Sequence, residues 1–293
     1  MAQKGRRAEV LAKLEVRAFF EHNARFLLSE GGVADWARRG EGDRAAIMDS
    51  PAWLLVSDID DTLTGDERAL GELLELVEAG KFRLVFNSSR PRESVRGTLA
   101  EFPGVAPGSM ITAMGTEMMV DGEIVMGWEE RFAGWERGLV EDVVLPLGGV
   151  PHAAEYQTRY KASFAVEGAE RQSAVREAIL ASGQEARVII SGQSDVDVMP
   201  VGAGKGEATL YLAEFLGVDV AQQLLVAGDS GNDLAMFEDC PRGILVGNAR
   251  RELREAARPE SSYQASAHHA AGVLEGLRYW GVLQPENNPS NEQ

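Results

Sequence analysis

Trp53-Leu54-Leu55-Val56-Ser57-Asp58-Ile59-Asp60-Asp61-Thr62 sets an unbroken apolar run directly before a cluster of acids. A short run without polar alternation is the pattern of a strand buried on both faces, as inside a parallel sheet. Such sheets bind ligands just beyond the carboxyl ends of their strands, where these acids fall. A second acidic turn, Gly228-Asp229-Ser230-Gly231-Asn232-Asp233, follows another apolar run, Leu224 to Ala227, in the same way. Acids gathered at one sheet edge repel each other. A divalent cation relieves that repulsion, and an all-oxygen donor set points to magnesium.

The chemistry available to such a cluster is phosphoryl transfer. A carboxylate beside a bound cation can attack phosphorus and form an acyl phosphate. Asp60, two residues beyond Asp58 and pointing the same way in an extended stretch, is placed to protonate a leaving alcohol and then activate water. After the strand Phe82 to Phe86 comes Asn87-Ser88-Ser89-Arg90, where a hydroxyl and backbone N–H groups near a helix start can hold phosphate oxygens. Lys205, in Gly202-Ala203-Gly204-Lys205-Gly206, puts a cation at another helix start, where charge builds up. This run is not a nucleotide-binding P-loop: Met199 stands where a P-loop has its first glycine, and Gly206 is neither Ser nor Thr.

Around these motifs the chain alternates strands and helices. A helical stripe Leu70, Leu73, Leu74, Val77 closes at Gly80, Pro91 opens a helix, and Met110 to Ala113 is a third strand. Asp121-Gly122, between Met118–Val120 and Ile124–Met126, signals a hairpin. From about 127 to 200 the rhythm changes: helices near 129–144 and 169–181 and strands at 160–166, 187–190 and 196–199 make a separate α+β layer. From Lys205 the alternation resumes with helix 205–216, strand Leu224 to Ala227, a helix from Asn232, strand Ile244 to Val246 and a last helix over 269–279. The expected fold is α/β, a Rossmann-like parallel sheet flanked by helices, with an α+β domain inserted in its middle. The expected boundaries are an amphipathic helical extension over 1–50, a core over 51–126 and 201–293, and an insert over 127–200.

Composition narrows the partners. With 46 acidic against 29 basic residues, the formal charge of −17 repels phosphate backbones and excludes nucleic acid as a partner. It allows a small anionic substrate, because local cations reverse the sign inside one pocket. No apolar stretch approaches the ~20 residues of a membrane span. Residues 11–28 are interrupted by Lys13, Glu15, Arg17, Glu21 and Arg25, which excludes a signal-peptide apolar core. The single cysteine, Cys240, forms no internal disulfide and reads as part of a loop, not as a catalytic thiol. The expected location is the cytoplasm. His268-His269 reads as helix-start solvation, and Trp128 and Trp135 as packing that fills the inserted domain.

The four motifs in this order, Asp58–Thr62, Ser88, Lys205 and Gly228–Asp233, resemble the haloacid-dehalogenase-like superfamily. Further stretches are similar to sucrose-phosphate phosphatases and the related mannosylfructose-phosphate phosphatases. They are Ile111–Glu117, Tyr160–Phe164, Ser194–Pro200, Gly202–Gly206, Gly243–Asn248 and Ala271–Trp280. The resemblance implies a core that carries chemistry and an inserted C2-type cap that selects the sugar. By position, Asp58 would be the nucleophile and Asp60 the general acid/base. Magnesium would be held by Asp58, the Asp60 backbone carbonyl and Asp229. Ser88, Ser89, Arg90, Lys205 and Asn232 would hold phosphate, and Asp233 would support the metal and Lys205. Gln157, Lys161, Ser163 and Asp195 would meet sugar hydroxyls. The family commonly has Thr-Gly-Arg where this chain has Ser88-Ser89-Arg90, which keeps the hydroxyl and loses the glycine.

The implied activity is a magnesium-dependent phosphatase acting on a disaccharide 6-phosphate. Two rival readings stay open: a sugar phosphomutase of the same superfamily, and a non-catalytic phosphatase-like module bound to a glycosyltransferase. Residues 1–50, outside the family pattern, are the candidate surface for association with a sugar-phosphate synthase.

Overall fold

The structure, a computed structural model of the chain, describes residues 53–101 and 108–284. The N-terminal extension with its expected amphipathic helix lies outside the described residues. Strand β1 (Leu54–Ser57) is buried along its whole length, as its apolar sequence requires in the interior of a sheet. Helix α1 (Glu67–Glu78) starts at Asp66, whose carboxylate accepts from the Ala69 amide, and buries Leu70 and Leu73. Then follow β2 (Arg83–Asn87), α2 (Arg92–Leu99), β3 (Met110–Thr112), β4 (Glu117–Val120) and β5 (Glu123–Ile124). Asp121 and Gly122, with φ of 50° and 86°, make the tight turn between β4 and β5. Its second arm is shorter than expected, because Met126 already begins helix α3 (Met126–Glu129).

The single helix expected near 129–144 is instead α3, a 3₁₀ turn over Glu130–Phe132 and helix α4 (Arg137–Val144). Two cores compete for this stretch. Trp128 and Phe132 join the main core, whereas Val140 and Val144 join a second one. One straight helix cannot serve both, and the chain breaks between them. Trp128 is therefore not a filler of the inserted domain: its ring is fully buried in the main core and its indole N–H donates to Gly115 O at 2.9 Å.

Next come β6 (Val150–Pro151), β7 (Ala162–Ala165), α5 (Ala169–Ala181), β8 (Ala186–Ser191) and β9 (Asp195–Pro200). The chain then returns through α6 (Lys205–Phe215), α7 (Val220–Gln223), β10 (Leu224–Gly228), α8 (Leu234–Asp239), β11 (Gly243–Leu245), α9 (Arg251–Ala256), β12 (Ser262–Gln264) and α10 (His269–Tyr279). The main sheet has eight strands in the order β12-β11-β10-β1-β2-β3-β4-β5, parallel from β12 to β3 and antiparallel at β4 and β5. A separate antiparallel sheet, β6-β7-β9-β8, packs one face on α4 and α5 through Ala162, Phe164, Val175, Ile179, Val196 and Val198. The alternation of strands sends Lys161, Ser163, Asp195 and Asp197 to its other face. Cys240 is buried just after α8, and burial pushes its thiol above the ordinary range, which makes it inert.

Candidate active site

β1 and β10 are parallel neighbours with Ser57 opposite Ala227, so the residues just beyond them emerge side by side. Asp58 continues the ladder by donating its N–H to Ala227 O at 3.0 Å. The carboxylates of Asp58, Asp229 and Asp233 thereby meet, with one oxygen from each within 4.8 Å of the others, and all three residues are buried. Lys205, 1% exposed, enters from the start of α6. Its Nζ lies 2.6 Å from Asp58 Oδ1, 2.7 Å from Asp233 Oδ1 and 3.2 Å from Asn232 Oδ1.

Two features seat Lys205. Its carbonyl accepts from Asn87 Nδ2 at 3.1 Å and from Thr209 Oγ1 at 2.7 Å. Gly115, at φ 89°, lies so close to Gly204 that a Cβ would overlap the Gly204 carbonyl. Asp233 is fully committed: Oδ1 takes Lys205, and Oδ2 accepts from the amides of Asp229 and Ser230 at 3.0 and 3.2 Å. These contacts brace the turn and the lysine.

Charge is out of balance here. Burial raises the Asp58 carboxyl to about 7 against the pull of Lys205, and raises Asp229 to about 6 with Asp233 adding to the shift. Burial alone would lower the Lys205 ammonium, but Asp233 and Asp58 more than reverse this and hold it above its ordinary value. The buried Lys205 ammonium pairs with Asp58 and Asp233, while Asp229 has only the half-exposed guanidinium of Arg250, 3.8 Å away. The donors are all oxygens, and Asp58 and Asp229 do not take the turn amides that occupy Asp233 Oδ2. That set fits a small hard divalent ion such as magnesium.

The other motifs converge on the same edge. Asp60 is half exposed and its Oδ2 is 2.9 Å from Arg90 Nε, an ion pair between the loops that follow β1 and β2. Arg90 also donates through Nη1 to Thr98 Oγ1 at 2.8 Å. Ser88 is buried, and its hydroxyl oxygen accepts from the Arg90 amide at 3.1 Å, leaving its proton to donate. Ser89 offers its carbonyl to Lys161 Nζ at 3.0 Å, so the polar face of the second sheet meets the loop Asn87–Arg90. Lys161 is buried and pairs with Asp197 at 3.3 Å, and Ser163 Oγ donates to the same carboxylate. Gln157 is turned inward: its amide bridges His152 O, Ser163 O and the Ser163 N–H. Asp195 is exposed and pairs with His152 at 3.0 Å.

Several residues at the site carry no sequence signal of their own. Asp197 is identified by its buried pairing with Lys161. Arg250 approaches Asp229 Oδ2 at 3.8 Å and donates its backbone N–H to Asp229 O. His269 does not solvate a helix start, as its sequence position suggests, but reaches Asp61 O at 3.0 Å.

A family model described as sucrose-6F-phosphate phosphohydrolase matches residues 51–281. The chain belongs to that family. Among relatives of this sucrose-6F-phosphate phosphohydrolase family, the mannosylfructose-phosphate phosphatase of Agrobacterium fabrum is 33% identical over 244 residues, covering 79% of this chain and 98% of that protein. The probable sucrose-phosphatase 2 of Arabidopsis thaliana is 31% identical over 261 residues, and the chain spans 62% of its length. The sucrose-phosphatase of Synechocystis sp. PCC6803, solved with sucrose and phosphate, superposes with a TM-score of 0.72 at 29% identity, covering 79% of this chain and 98% of that one. A subclass IIB sugar phosphatase of the haloacid-dehalogenase group, 16% identical with a TM-score of 0.61, shares the fold. As a member of the family, the chain is a phosphoric monoester hydrolase on a haloacid-dehalogenase-like fold.

Proposed function

We propose that this phosphatase hydrolyses a disaccharide 6-phosphate, sucrose 6-phosphate or mannosylfructose 6-phosphate, through an aspartyl phosphate on Asp58. The observation that carries the reading is the placement of the Lys205 ammonium 2.6 Å from Asp58 Oδ1, inside a buried triad of acids. A buried carboxylate oriented by a lysine on one oxygen keeps its other oxygen for attack on phosphorus. The bond from phosphorus to the sugar oxygen breaks as the new one forms, and Asp60 gives its proton to the departing alcohol. Asp60 then takes a proton from water, which attacks the acyl phosphate and frees Asp58. Ser88, Ser89 and Arg90 hold the phosphoryl oxygens with Lys205, while Asn232 and Asp233 keep Lys205 in place.

Asp58, the Asp60 carbonyl and Asp229 would hold magnesium, whose charge offsets the repulsion between the nucleophile and the phosphoryl oxygens. The inserted segment 127–200 supplies sugar selection, with Gln157, Lys161, Ser163 and Asp195 as the candidates for sugar hydroxyls and Asp197 holding Lys161 and Ser163 in place. The names of similar proteins, a mannosylfructose-phosphate phosphatase and sucrose-phosphatases, support this substrate class. A buried lone cysteine accords with a cytoplasmic location.

The test is a panel of sucrose 6-phosphate, mannosylfructose 6-phosphate, trehalose 6-phosphate, glucosylglycerol phosphate and hexose phosphates, with magnesium present. The expected result is a kcat/KM for one of the first two that exceeds the hexose phosphates by about a hundredfold or more. A flat profile would remove the disaccharide assignment and leave the phosphatase.

A further inference from the structure

The loop that carries Asp58 and Asp60 reverses direction at Asp61, which has φ 60°. For an aspartate this left-handed conformation is uncommon and must be held by its surroundings. The Asp61 carbonyl accepts twice: from Asn248 Nδ2 at 2.7 Å and from His269 Nδ1 at 3.0 Å. A carbonyl oxygen only accepts, so Nδ1 of His269 carries a proton. The two donors are tied to each other, since Asn248 Oδ1 accepts from the His269 amide at 2.9 Å. Asn248 follows β11 and His269 opens α10, so elements far apart in sequence close on one peptide oxygen.

His269 is itself unusual. It sits at φ 51°, where glycine would be cheaper and a β-substituted residue is strained. Its imidazole lies against Gly65, at φ 110°, where a Cβ would come 2.7 Å from the ring. The segment leading to it is pinned from within α10: Glu275 accepts from Tyr263 Oη at 2.6 Å, from Ser266 N–H and hydroxyl, and from the Ala267 amide. Burial would raise the Glu275 carboxyl, but these donors outweigh it and hold it down at about 2. Ala267 O in turn accepts from Gly247 N–H at 2.7 Å, next to Asn248.

We propose that His269 and Asn248 are positioning residues that grip the Asp61 carbonyl and thereby aim Asp58 and Asp60. This deepens the proposed reaction and rests on it only for the roles of the two acids. The strained backbone of His269 is retained because its ring N–H must reach Asp61, a demand that packing alone does not make.

The experiment uses the full chain with His269→Gly, His269→Phe and Asn248→Ala. Glycine relaxes the φ 51° backbone, which offsets part of the stability lost with the ring and its N–H, so His269→Gly is expected to stay folded. Its kcat falls about ten- to a hundredfold, as for a reacting group displaced by about 1 Å, with KM within about threefold. Phenylalanine keeps a ring without the N–H and loses kcat alike. Hydrogen exchange, run without substrate, reads the clamp directly through the Leu63 and Thr64 amides, which both donate to Ile59 O. Their exchange accelerates in all three variants. A folded His269→Gly with kcat within about twofold of the parent, or unchanged exchange at these amides, overturns the proposal. A substrate panel that fails to single out a disaccharide phosphate overturns only the substrate assignment, because the exchange arm needs no substrate.

Discussion

Lys205 places its Nζ 2.6 Å from Oδ1 of Asp58, a residue 147 positions earlier in the chain, and both side chains are buried. Removing the lysine leaves Asp58 and Asp233 as buried charges without their shared cation. Lys205→Met is expected to lower stability by about 3–5 kcal/mol in urea unfolding and to remove phosphate release. Lys205→Met combined with Asp58→Asn should recover part of the lost stability but none of the activity. Additive losses in the double variant would contradict a direct pairing.

Metal affinity should follow pH with a defined sign. Asp58 and Asp229 are raised from 3.8 to about 7 and about 6 in the metal-free fold. Carboxyls raised in this way bind protons more tightly folded than unfolded. They cost the metal-free protein stability as pH climbs from about 4 through about 7, and nothing below that window. Magnesium held by these two acids would have to displace those protons. Calorimetric titration should therefore show affinity rising between pH 5.5 and 7 and levelling above, with proton release inside the window. The rise in melting temperature on adding magnesium should be larger at pH 8 than at pH 5.5. An affinity independent of pH would count against these two acids as the ligands.

Lys161 joins the second sheet to the loop Asn87–Arg90 through Ser89 O and pairs with Asp197. Lys161→Met should lower kcat/KM for the disaccharide phosphate by about tenfold more than for p-nitrophenyl phosphate, which has no sugar to select. Steady-state kinetics on both substrates gives the ratio. Equal losses would assign Lys161 to the phosphate alone.

Gly115 touches the Gly204 backbone immediately before Lys205. Gly115→Ala must move one of two buried backbones and also adopt φ 89°. A loss of about 2–4 kcal/mol is expected, with activity falling because Lys205 shifts. Calorimetry and kcat measured on the same preparation test this, and an unperturbed melting temperature would contradict it.

The core of the fold was legible because its signals are local. An apolar run ending in Asp58, a second ending before Asp229, and a lysine at a helix start each announce a strand end or a helix start, and the parallel register of β1 with β10 does the rest. What could not be read depends on which core captures a residue. Trp128 and Val140 look alike as apolar helical positions, yet one packs in each core, and the helix breaks between them. β6, with two residues, and β12, with three, are too short for any periodicity to show. At the site, Asp197 and His269 owe their roles to partners 36 and 208 positions away. Neither spacing nor residue type betrays such contacts.

Covalent capture at Asp58 is the most direct measurement of all. Acid quenching during turnover of a disaccharide phosphate labelled in its phosphoryl group, followed by peptide mapping, should find the label on the peptide containing Asp58. Asp58→Asn should carry none and release phosphate at least about a thousandfold more slowly. Label on another residue, or undiminished turnover by Asp58→Asn, would contradict the account.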